Sequence, residues 1–181
     1  MDFPIMGEIC GGLATVIGFF VFQQKKRSHI LLLKLICDIL WSLHFLFLQA
    51  YSGMAISLVA CVREILFYRL GTTNDQKPKP LLFVFLALNT CSVALTWTGG
   101  WSVCSLISGW LGTLAYWQTV PNRIKCLCGM VSVSQTVYAL GVGSRSALLN
   151  EIITMSSIAL FFLRILWKKH KSGVIEKGES L

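Results

Sequence analysis

The chain has 181 residues, a formal net charge of +8, and 55% hydrophobic against 13% charged residues. A soluble domain carries roughly a quarter charged residues, so this composition excludes one and points to lipid. The basic residues are scattered over short loops and a tail, not gathered on one face, which excludes a nucleic-acid reader; retention of Lys and Arg on one side of a bilayer accounts for them.

Apolar runs at 3–23, 29–49, 53–70, 81–97, 101–117, 125–142 and 147–167 predict an all-α, polytopic membrane protein with seven transmembrane helices. Several are short for a hydrocarbon core of roughly 30 Å. The first run follows the acidic Asp2 and contains Glu8, with no basic region ahead of it, so the first helix itself is expected to act as insertion signal. Lys25, Lys26, Arg27, Lys77, Lys79, Arg123, Lys125, Lys168, Lys169, Lys171 and Lys177 fall in the odd-numbered loops and the tail, with Lys34, Arg69 and Arg164 near the same ends. The opposite side holds Arg145 alone. The N-terminus is therefore expected outside and the C-terminus in the cytoplasm of a cell (inner or plasma) membrane.

The first and fifth spans resemble each other. Ile9-Cys10-Gly11-Gly12-Leu13-Ala14-Thr15 matches Ile107-Ser108-Gly109-Trp110-Leu111-Gly112-Thr113 at Ile, Gly, Leu and Thr. Each copy runs on to glutamine and a basic loop, and each is followed by two spans joined by a tight turn. The expected arrangement is 3+1+3: a three-helix repeat at 1–70, a hinge loop and inverting linker helix at 71–100, a second repeat at 101–167 and a basic tail at 168–181.

An ionisable group in mid-bilayer costs about 2.5–3.5 kcal/mol on insertion scales and needs a partner, an aqueous cavity or a function. Lys34 and Asp38 lie four apart on the second span; the pair either solves its own burial or borders a polar path. His44 follows, with Trp41 a turn away. Arg63 and Glu64 are adjacent on the third span, so at least one looks into the bundle, with Arg63 directed towards Asp38. Asn150 and Glu151 open the last span, where a carboxylate also suits the positive end of the helix dipole. Asn89 and Gln135 are lone amides, and Trp110 is an aromatic placed to line a cavity or to pack. The substrate-path candidates are Asp38, Trp41, His44, Arg63, Asn150 and Glu151, with Asn89 and Trp110 behind them.

Motifs for hydrolase, nucleotide or zinc chemistry are missing, and Cys126 and Cys128 have no His or second Cys pair beside them. No enzymatic activity, metal or cofactor is expected. The implied partners are the lipid bilayer and a small polar solute; nucleic acid is not one, and self-association is left open.

The run Leu33 to His44, the turn at Tyr51-Ser52-Gly53, Val62-Arg63-Glu64 and Leu149-Asn150-Glu151-Ile152 together resemble the YgjV family of bacterial inner-membrane proteins. That family is distantly similar to the SWEET and semiSWEET sugar carriers, the PQ-loop transporters and the PnuC-type nicotinamide riboside permeases. The resemblance implies a three-helix repeat used twice around a linker helix. The leading expectation for function is a small-solute carrier of the cell membrane that works by alternating access between the two repeats. The departure is at the PQ-loop proline: Pro121 stands three residues after Gln118, and Gln23-Gln24 has none after it. The rival expectation is a non-transporting scaffold, assembly factor or receptor subunit.

Overall fold

The computed structural model describes residues 3–73 and 78–178. Part of the expected hinge, including Lys77, and the end of the tail at 179–181 lie outside them, as does Asp2. Among the described residues every regular element is helical: α1 (Phe3–Val21), α2 (Arg27–Phe47), α3 (Tyr51–Thr73), α4 (Lys79–Leu95), α5 (Trp101–Trp117), α6 (Pro121–Val142) and α7 (Arg145–Gly178). In hydrocarbon a backbone must satisfy its own polar groups, and a helix does so within one segment. Three stretches, Arg27–Phe47, Pro121–Val142 and Arg145–Arg164, are long and apolar enough to cross a membrane, and Ile5–Val21 and Lys79–Leu95 are shorter apolar helices.

Five helices begin two to four residues before the apolar run that predicts them, at Arg27, Tyr51, Lys79, Pro121 and Arg145. Hydropathy marks where hydrocarbon begins, whereas helical hydrogen bonding starts in the polar interface. Proline sits in the first turn of both α4 and α6, where its missing N–H leaves no bond unmade. Pro121 thus starts a helix and does not kink one.

Neighbouring helices follow chain order within each half: α1 on α2 on α3, and α5 on α6 on α7. The halves meet twice, α3 against α5 and α7 against α1, so six helices close a ring. The linker α4 packs against α3 and α5 and straps that seam. The pattern of neighbours repeats with a shift of four helices, apart from the strap.

Two local details recur with it. Thr15 Oγ1 donates to Gly11 O and Thr113 Oγ1 to Gly109 O, each at 2.9 Å. Both glycines permit a close crossing: a Cβ on Gly11 would meet His44 Nδ1 at 2.9 Å and Ser146 of α7, and one on Gly109 would meet Ile56 of α3 at 2.7 Å. The tight turns also correspond. Gln49 (φ 57°) and Gly143 (φ 68°) take the left-handed conformation, followed by Ala50 N–H to Phe45 O and Ser144 N–H to Ala139 O, at 2.9 and 3.1 Å.

The distribution of polarity is inverted relative to a soluble bundle. Phe83, Leu95, Leu140 and Ile152 are exposed, while Asp38, Arg63, Glu64, Asn89, Ser105, Ser108, Thr113 and Ser132 are buried. Lipid requires the first set outside, and the second then has only the ring interior to occupy.

Candidate functional site

A cavity of about 110 Å³ lies inside the ring and draws its walls from all six ring helices. Asp38, Trp41 and Lys34 come from α2, Ser57 from α3, Tyr116 from α5, Ser132 and Gln135 from α6, and Asn150, Glu151 and Thr154 from α7. The volume admits several water-sized groups.

The α2 wall carries an ion pair. Lys34 and Asp38, one turn apart, are bonded Nζ to Oδ1, and the other carboxylate oxygen of Asp38 has no donor. Glu64 lies carboxyl to carboxyl against Asp38 from behind the wall, with one of its oxygens likewise unmet. The α7 wall is different. Glu151 receives Ser132 Oγ at 2.5 Å and Asn150 Nδ2 at 3.0 Å, so each of its oxygens accepts from a neutral donor.

Of the sequence candidates, the cavity brings together Asp38, Trp41, Asn150 and Glu151. Asp38 and Glu151, on different helices, line the same cavity. The other four stand elsewhere. Arg63 does not reach Asp38. It pairs with Glu64 at 3.3 Å, donates to Thr113 at 3.0 Å and lies over the Tyr116 ring, because its face of α3 turns to α5. Both members of the Arg63-Glu64 pair are buried, since α3 is flanked on either side. Asn89 donates to Thr113 at 3.0 Å and Gly109 O at 3.3 Å, tying α4 to α5. Trp110 faces outwards at 41% exposure and hooks its Nε1 to Leu86 O and Thr90 Oγ1 of α4, each at 3.2 Å.

His44 is sealed. Its Nδ1 meets Gly7 O at 2.8 Å, which fixes the proton there, and Nε2 accepts from Ser144 at 2.9 Å. A serine and a histidine at this distance have the form of a nucleophile and its base. Both are fully buried, however, and Ser144 Oγ also accepts Ala147 N–H at 3.1 Å as the cap of α7. The pair therefore holds α1, α2 and α7 together. Beside it Tyr138 of α6 reaches across the ring to Phe45 of α2 (centroids 5.8 Å) and hydrogen-bonds Ser52 and Gly53 N–H of α3 at 3.0 and 2.9 Å. These contacts close that end.

At the other end Arg27 donates to Gln118 O at 3.1 Å and Tyr116 O at 3.3 Å, carbonyls that the end of α5 leaves open, and to Phe67 O of α3 at 3.3 Å. Gln23 donates to Ser157 Oγ at 2.8 Å and ties the turn after α1 to α7.

Sequence reasoning passed over Tyr116, Ser132, Ser57 and Thr154 as cavity residues. Hydroxyls are ordinary in membrane helices, and nothing in one helix taken alone sets them apart from packing serines and threonines. Glu64 was noted only as a neighbour of Arg63. The signal that separates the two is rotational: Glu64 lies on the face turned to α2.

A family model described as a bacterial inner membrane protein, Imp-YgjV, matches residues 5–169. The chain belongs to that family and is a multi-pass protein of the bacterial inner membrane. No curated protein and no solved structure matches it.

Proposed function

We propose that this member of an inner-membrane family is a small-solute carrier that works by alternating access, its two three-helix halves rocking about a central site. The observation that carries the reading is the cavity walled by all six ring helices, with charged groups on α2 and α7 and hydroxyls between them. Ionisable side chains in hydrocarbon are costly, and a passing polar solute gives them a use. Both ends of the cavity are held by side-chain contacts between helices, Tyr138 with Phe45 and Ser52 at one and Arg27 with α5 at the other. Such contacts break and re-form without unfolding a helix.

The test is labelling from each side. Ser132→Cys, in a background lacking the seven natural cysteines, is exposed to a membrane-impermeant maleimide in right-side-out and inverted vesicles. A carrier predicts reaction from both faces. Protection from both faces supports the scaffold alternative and removes transport.

A further inference from the structure

The charged groups of the cavity do not cancel. Among the described residues that line it, Lys34 is the cation, and Asp38 and Glu151 are the carboxylates. Lys34 is bonded to Asp38. Arg63 and Glu64 pair with each other behind the wall. Lys125, the remaining buried cation among the described residues, lies 3.3 Å over the Phe161 ring and is not part of the lining. Glu151 is left with two neutral donors, from Ser132 and Asn150, and no cationic partner. Glu151 thus faces the cavity with no ion pair of its own. A buried carboxyl ionises readily only beside a positive charge, so a cation in the cavity is the complement of this site.

A second observation stands on the facing helix. Asp38 is 4% exposed and lines the cavity, and the Glu64 carboxyl lies against it from behind the wall, so two acidic side chains stand on this side. Trp41 and Tyr116 add aromatic walls, and Tyr116 already carries the Arg63 guanidinium 5.2 Å from its ring centroid. Aromatic rings favour an organic cation over an alkali ion, which seeks a shell of oxygens. Resting on the carrier reading, we propose that the cavity takes a small organic monocation, a protonated amine of a few heavy atoms. Glu151 supplies the counter-charge, and the acidic Asp38 stands on the facing wall.

The experiment uses the full chain in detergent, with ethanolammonium, ethylene glycol and glycolate as size-matched cationic, neutral and anionic probes at constant ionic strength. Saturable thermal stabilisation is expected with ethanolammonium and not with the other two. Glu151→Gln should weaken that binding by about a hundredfold, since it removes one member of a buried charge pair. Glu151→Asp keeps the charge and should keep the preference for the cation, which covers the case in which Gln does not fold. Equal response to ethylene glycol or glycolate, unchanged affinity in Glu151→Gln, or saturation by sodium alone would each overturn the assignment. Proteoliposomes separate it from the carrier reading. Binding of ethanolammonium without uptake leaves the site and removes transport. Uptake of a neutral solute at the same rate by wild type and Glu151→Gln leaves transport and removes the cationic assignment.

Discussion

The two halves of the ring share a skeleton and divide the chemistry. α1 and α5 each turn a threonine hydroxyl back on a glycine carbonyl at a close crossing, and each half ends its second helix in the same left-handed turn. Onto that frame the first half places Lys34, Asp38, Arg63 and Glu64, while the second places Ser132, Thr113 and the lone Glu151. The offset that sets Ile9 against Ile107 also sets Arg27 against Lys125. Arg27 bonds carbonyls of α3 and α5, but Lys125 Nζ has no hydrogen-bond partner among the described residues and rests on Phe161. A repeated backbone can thus carry ion pairs in one copy and hydroxyls in the other, and the asymmetry gives the cavity two unlike walls.

The largest effect that breaks this comparison should come from the ion pair of the first half. Arg63→Met leaves Glu64 buried without its partner and should cost about 3–5 kcal/mol. Arg63→Met with Glu64→Gln should recover most of that loss, as measured by unfolding in a denaturing-detergent titration. A double variant as unstable as the single one would assign the cost to the Thr113 bond instead.

Next comes the pair of matched cations. Arg27→Gln removes charged donors from three carbonyls and should cost about 1.5–3 kcal/mol. Lys125→Met loses only a ring contact and sheds a buried charge, so it should be within about 1 kcal/mol of wild type. Thermal unfolding of the two variants side by side decides it; equal losses would mean that Lys125 is bonded in the same way.

The smallest effect sharpens the likeness of the halves. Gln49 adopts a φ that suits glycine, so Gln49→Gly should stabilise by about 0.5 kcal/mol. Gly143→Gln should destabilise by about 1 kcal/mol. Like signs for the two substitutions would show that the turns are not equivalent.

Seven helices were legible because hydrocarbon thickness imposes a length and an apolarity that no other constraint in the chain imitates. The cavity was legible at Asp38, Trp41, Asn150 and Glu151 because side chains costly to bury stand out one at a time in an apolar run. What stayed hidden depends on helix rotation. Arg63 and Glu64 are consecutive, and only the neighbours of α3 decide that one turns to Thr113 and the other to Asp38. Trp110 lies within its span, which left lining a cavity and packing both open; helix rotation turns it outwards, where the carbonyl of Leu86 on an adjacent helix takes its N–H. His44 was named beside Trp41 for the polar path, and only the fold puts the Gly7 carbonyl and the Ser144 hydroxyl on its two nitrogens.

The strap formed by α4 makes the two seams of the ring unequal. At α3 and α5 the Asn89 and Trp110 bonds bind a third helix over the join, so this edge behaves like the spine of a book. Among the described residues the edge between α1 and α7 has no cover of that kind; it is held near one end by Gln23 with Ser157 and near the other by the His44 cluster, with glycine crossings such as Gly18 beside Asn150 between them. Strain applied to the ring therefore concentrates on this fore-edge, and the pages part beside Asn150 and Glu151 of the cavity wall.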